Sequence, residues 1–173
     1  QPVLDKAIPI RVRNTFNPTY PGTLIGENGE PSATVIKAVT SIRKVSLLTV
    51  SGKGMIGVPG IAGRTFLASA NAGASILMIS QSSSEQSFCF LVTETTAEAV
   101  KHSIESQLAS EIANRDIDRV DVRDDVVIIT AVGSGMSGTP GVAGRVFSTM
   151  GNHRINVVAI AQGSSECSIS FVV

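Results

Sequence analysis

The sequence predicts an α+β fold made of two copies of one βαββαβ unit. Each copy is an antiparallel sheet with its helices on one face, and the first copy is inserted into the second. Three observations carry this. A long stretch recurs without a gap. Each copy opens with a β-branched run that feeds a glycine-rich turn. Helical periodicity follows the turn, and then two short strands flank a polar hairpin.

The repeat is plain. "TVSGKGMIGVPGIAGRTF" returns as "TAVGSGMSGTPGVAGRVF", and "ISQSSSEQSFCFLV" as "IAQGSSECSISFVV". Gly52 pairs with Gly133, 81 residues on, and the same offset joins Pro59 to Pro140, Arg64 to Arg145, Phe66 to Phe147, Gln81 to Gln162 and Glu85 to Glu166. It holds upstream too, where "IKAVTSIRKVSLLT" lies over "IDRVDVRDDVVIIT". One supersecondary unit therefore occurs twice about a pseudo-twofold axis, which suits two sheets lying side by side.

Taken in order, residues 1–34 precede the repeat. Val45 to Val50 is a β-branched strand. Pro59 suits a first helical turn, where its missing N–H costs nothing. Ile61, Ala62, Phe66 and Ala70 then recur at helical spacing, and Asn71 with Gly73 stops the helix. Ile76 to Ile79 is a second strand, "SQSSSE" a polar turn (Ser82 to Ser84 included), and Phe88 to Val92 a third strand. Thr95 and Glu98 form a capping box for a helix whose inner face is Val100, Ile104 and Leu108. Val120 to Arg123 closes the unit, which spans 44–124. The second copy, 125–173, has no second helix, so an apolar face is expected where that helix would lie. Its closing strand is supplied by Val35 to Ile42, within 35–43.

Composition narrows the function. Net charge is zero, with 14 Lys and Arg against 14 Asp and Glu, and aromatics are 4%. Nucleic acid needs clustered cations and stacking rings, and neither is present. No apolar run approaches the roughly 18 residues of a membrane span, and no signal-peptide layout opens the chain, so a cytoplasmic address is expected. Cys89 and Cys167 read as buried small side chains rather than a disulfide framework. His102 reads as solvated, and His153 suits a helix C-terminus. They make no metal site.

Gly52, Gly54 and Gly57 spell G-x-G-x-x-G, the outline of a dinucleotide fingerprint. The acidic residue expected roughly 20 positions later is missing from both copies, and the crossover to a further parallel strand is replaced by a hairpin. The glycines serve instead a sharp strand-to-helix turn, and they let a ligand carboxylate approach backbone N–H groups at a helix start. Gln81 and Gln162 leave a strand beside that turn, and each amide both donates and accepts. Glu85 and Glu166 read as solvated turn residues with no nucleophile to serve. Arg64 and Arg145 read as partners in surface or interface salt bridges.

These residues resemble a known family. "SGKGMIGVPGIAGRTF" and "ILMISQSSSE", followed by "VGSGMSGTPGVAGRVF" and "VVAIAQGSSE", resemble the paired, ferredoxin-like ACT domains of aspartate kinase. "IPIRVRNTFNPTYPGTLI" resembles the segment that joins them to the kinase domain. The resemblance implies a regulatory region that binds an end-product amino acid and inhibits phosphorylation of aspartate. ATP and Mg²⁺ would serve the kinase domain, and no cofactor is expected in this stretch. The Gln turns are similar to those of the threonine-sensitive branch, which includes forms fused to homoserine dehydrogenase, so threonine is expected first and lysine next. Carried over, Gln81, Ile79 and the loop Gly54, Met55, Gly57 and Pro59 line one effector site. Gln162, Ile160 and the loop Gly135, Met136, Gly138 and Pro140 line the other. A homodimer is implied, as is the absence of catalysis by this stretch itself. Two other classes stay open: a dimerisation scaffold indifferent to amino acids, and an enzyme in its own right.

Overall fold

Runs such as "KVSLLTV" and "DVVIITAV" favour strands because branched side chains pack well on a pleated surface. In the computed structural model, which describes residues 3, 6–26, 34–84, 86–164 and 166–173, each run lies in a 14-residue strand. The chain forms two units, Gln1–Ala33 and Thr34–Val173. In the first, β1 (Ile10–Val12) pairs antiparallel with β2 (Thr23–Ile25), Ile10 opposite Ile25.

The second unit holds β3 (Ala38–Ser51), α1 (Ile61–Asn71), β4 (Met78–Gln81), β5 (Ser87–Thr93), α2 (Ala97–Gln107), α3 (Ala109–Ala113), β6 (Arg119–Val132), α4 (Val142–Asn152), β7 (Ala159–Gln162) and β8 (Ser168–Val172). The strands make one antiparallel sheet in the order β4-β5-β3-β6-β8-β7. The expected pair of side-by-side sheets is replaced by this single sheet, because β3 and β6 each run through both repeats. The first half of β3 closes the second repeat, and the first half of β6 closes the first. That is the predicted insertion. The pair Val39·Ala131 is the repeat image of Val120·Val50. Each long strand changes course at a residue with left-handed backbone, Lys44 (φ 57°) and Asp125 (φ 56°), which are again one repeat apart.

The sheet rolls so that its end strands meet, and Ser80 Oγ donates to the Ile160 carbonyl (2.9 Å). Between the helix-free faces lies a central core of four repeat-related pairs: Val45 with Val126, Leu47 with Ile128, Met78 with Ala159, and Leu91 with Val172. A second core lies under α1 and α2. Leu48, Phe90, Val100, Ile104 and Leu108 are fully buried there, and Phe66 meets Phe88 and Phe90 edge-on, each 5.7 Å away between centroids. The third lies under α4, around Ile169 and Phe171.

Several local expectations change. Ala70 is exposed, and the buried stripe of α1 is Ile61, Thr65, Ala68 and Ser69. Thr65 and Ser69 can be buried because each hydroxyl donates to the carbonyl one turn back, and Ser103 reaches the Ala68 carbonyl across the α1–α2 contact. The Thr95/Glu98 capping box is absent. A short 3₁₀ turn, Glu94–Thr96, precedes α2, and Thr96 Oγ1 donates to the Thr93 carbonyl instead. Pro59 and Pro140 lie just ahead of their helices, which start after Gly60 and Gly141. Both cysteines are free and half-buried rather than fully buried. His102 is exposed, and His153 caps the C-terminus of α4.

Where α2 covers the first repeat, no helix among the described residues covers the second. Val120 is 5% exposed, while its image Val39 is 67% exposed. A groove of about 640 Å³ opens beside this strip, lined in part by Ser41, Ile129 and Val173.

Candidate functional site

Each repeat makes the same cleft. After β3 and β6 the chain enters short 3₁₀ turns, Lys53–Met55 and Ser134–Met136, which bury Met55 and Met136 as floors. Gly52 begins one turn and Gly133 the other, and both have extended backbone. Their lack of a side chain answers close approach. A Cβ on Gly52 would lie 2.1 Å from the Asp116 carbonyl oxygen, and one on Gly133 would lie 2.1 Å from that of Val35. Within the motif the expected positive φ falls on Gly57 (71°), and in the second copy on Gly138 (67°), where the chain doubles back toward the helix. Neither α1 nor α4 has a side-chain cap at its N-terminus, and both helix starts, Gly60 with Ile61 and Gly141 with Val142, line the clefts.

Gln81 ends β4 and Gln162 ends β7, opposite Phe88 and Ile169. A cleft of about 350 Å³ joins Gln81 and Phe88 to Met55, Gly57, Pro59 and Ile61. Its counterpart, about 290 Å³, joins Gln162 and Ile169 to Met136, Gly138, Pro140 and Val142. Such volumes fit a small ligand held by a few polar groups on an apolar floor. Among the described lining residues the clefts differ at Ile61 and Val142, at Phe88 and Ile169, and at Val58 and Thr139, whose hydroxyl donates to the Gly135 carbonyl (2.7 Å). Glu166 also lines the second cleft, and its Oε2 accepts the Gly138 N–H (2.9 Å).

The structure thus brings together Gln81, Met55, Gly57 and Pro59, and separately Gln162, Met136, Gly138 and Pro140. Gly54 and Gly135 lie outside the clefts. Gly54 backs onto Asp116, where a Cβ would come within 2.5 Å of that residue's Cα. Ile79 and Ile160, two residues before the glutamines, stand on end strands at 44% and 45% exposure and do not line the clefts. The sequence reading missed Ile61, Phe88, Val142 and Ile169, although helical and strand alternation put them on the inner faces. Glu166 is exposed in its turn, as expected, but its contact with Gly138 was not foreseen. Glu85 lies outside the described residues.

Among the described residues no three His, Cys, Asp or Glu side chains cluster as metal ligands. Burial pushes the Cys89 thiol upward, so it stays protonated. Arg64 forms an ion pair with Glu111, and that contact holds the Glu111 carboxyl below its usual range. No ion pair is recorded for Arg145 among the described residues. No helix among them is long and apolar enough to cross a membrane.

Comparison with known proteins agrees with this architecture. The ACT domain model matches residues 48–108 and 129–173. The chain is 41% identical over 172 residues to a bifunctional aspartokinase/homoserine dehydrogenase of Haemophilus influenzae, covering 99% of this chain and 21% of that protein. It spans about a fifth of the length of the curated relatives it matches. Aspartate kinase from Clostridium acetobutylicum superposes with a TM-score of 0.83 at 21% identity, over 99% of this chain and 39% of that one. E. coli aspartokinase III, in complex with lysine and aspartate, superposes with a TM-score of 0.74 at 24% identity, over 99% and 37% respectively. The repeated units, their shared strands and the family match together establish that this chain belongs to the ACT domain family.

Proposed function

We propose that the chain is the effector-sensing region of an aspartate kinase and that its two clefts each bind an end-product amino acid. The observation that carries this is the duplicated cleft, in which a glycine turn and an uncapped helix start face a strand-end glutamine. Backbone N–H groups there suit a carboxylate, and the Gln81 or Gln162 amide oxygen suits an ammonium. A small apolar floor suits a short side chain. Threonine is the favoured effector and lysine the next. The solved complex of E. coli aspartokinase III with lysine supports an amino-acid ligand for this architecture. The proposed parent phosphorylates aspartate with ATP and Mg²⁺ in a kinase domain to which residues 1–34 lead. Units 44–124 and 35–43 plus 125–173 do the sensing, need no cofactor and catalyse nothing themselves. A homodimer and a cytoplasmic address belong to the same proposal.

For an amino acid to inhibit, it must bind one arrangement of the units more tightly than another. The shared strands β3 and β6 are the elements through which one repeat would feel the other. Thermal unfolding with threonine, lysine and methionine tests the reading. A saturable rise in midpoint with one of them, lost in Gln81→Ala or Gln162→Ala, is the expected result. A stable dimer whose midpoint ignores all three would favour the scaffold reading, to which the exposed Ile79 and Ile160 on end strands lend support.

A further inference from the structure

Glu166 stands at the mouth of the second cleft with φ 56°, in the left-handed region that long side chains seldom adopt. Its own N–H donates to the Gly163 carbonyl (3.0 Å), which tightens the turn between β7 and β8. The side chain reaches the glycine loop at Gly138, where Oε2 takes the backbone N–H at 2.9 Å. Gly138, Glu166 and Gln162 all line one cavity. A carboxylate therefore already occupies a glycine-turn amide, the position that a ligand carboxylate would take.

We infer that Glu166 is a built-in competitor for the second cleft, a latch that an incoming amino-acid carboxylate must displace from Gly138. This rests on the effector reading. Displacement opens the turn between β7 and β8 and frees the Glu166 carboxylate in the same cavity as the ligand ammonium. The Gly133 N–H bonds the Cys167 carbonyl (2.9 Å), next in the chain after Glu166, so the turn and the glycine loop are also joined through the backbone. Competition of this kind lowers the apparent affinity by the fraction of molecules whose latch is closed.

The test uses the full chain, ¹⁵N-labelled, as wild type, Glu166→Gln and Glu166→Ala, titrated with L-threonine and followed at the Gly138 amide. A hydrogen bond to an anionic carboxylate shifts that proton downfield. Both substitutions should move it upfield in the free protein, and threonine should move it in wild type. Affinity read at Gly138 should tighten by about threefold to tenfold in both variants. A Gly138 resonance that ignores both substitutions overturns the latch. Affinity that is unchanged or weakened in the variants overturns the competition and makes Glu166 a direct ligand contact or a bystander. If threonine, lysine and methionine all fail to bind wild type and variants while the Gly138 shift persists, the effector reading falls and the competition falls with it, whereas the contact stands.

Discussion

Truncating Val120 and Val39 one at a time asks whether the two repeats are stabilised alike. The two positions are repeat images, each facing its partner in the same β3–β6 ladder. Val→Ala removes two methyl groups at either position and changes strand propensity equally, so the difference isolates burial. Val120 is 5% exposed beneath α2, where losing two methyls costs about 1.6 kcal/mol in transfer, and the residual cavity raises this to about 2–2.5 kcal/mol. Val39 is 67% exposed, so its loss is about 0.5 kcal/mol. Urea unfolding followed by circular dichroism measures both. With m near 2 kcal/mol/M, Val120→Ala should lower the midpoint by about 1 M and Val39→Ala by about a quarter of that. Equal losses would refute the reasoning, since they would mean that Val39 is covered in solution as Val120 is.

Other outcomes follow from the same geometry. Gly52→Ala should cost more than about 3 kcal/mol, because its Cβ would lie 2.1 Å from a backbone carbonyl oxygen, whereas Gly63→Ala, in the open on α1, should be neutral or stabilising by up to about 1 kcal/mol. Thermal unfolding separates the two. Lys44→Val should destabilise by about 2 kcal/mol, because a β-branched residue resists left-handed backbone, while Lys44→Gly should cost nothing measurable. The Glu111 carboxyl is held low by Arg64, so the pair contributes stability above the unfolded carboxylate range, and that contribution is lost as pH falls through the depressed folded value. Glu111→Gln should therefore be less stable than wild type at neutral pH and equal to it in strong acid, as read by chemical unfolding at both pH values.

How much of this is legible in the sequence depends on the kind of signal. The gapless repeat exposes the architecture, because Gly52 with Gly133 and Gln81 with Gln162 tie strands, turns and helices into matching positions. Periodicity places Val100 and Ile104 correctly on the inner face of α2, and Leu108, which caps its end, in the same core. Periodicity fails on α1, where Thr65 and Ser69 are buried. Their hydroxyls satisfy themselves on the helix backbone, and no hydrophobic pattern records that. The rolled single sheet is hidden for a related reason. Its turning points are Lys44 and Asp125, polar residues that look like a loop but act as bulges within continuous strands. At the site, Gly57 and Gly138 serve the turn as expected, whereas Gly52 and Gly54 answer backbone crowding from Asp116, a partner more than 60 residues away that no local motif reveals. Glu166 enters the second cleft for the same reason, through a contact across 28 residues.

The central claim is that the duplicated clefts bind an amino acid. Titration calorimetry with threonine on wild type, Gln81→Ala and Gln162→Ala tests it most directly. The account predicts saturable binding to wild type, weakened about tenfold or more at the cleft whose glutamine is removed, as expected for losing a hydrogen bond to a charged group. No heat with threonine, lysine or methionine, or binding that ignores both substitutions, would contradict it.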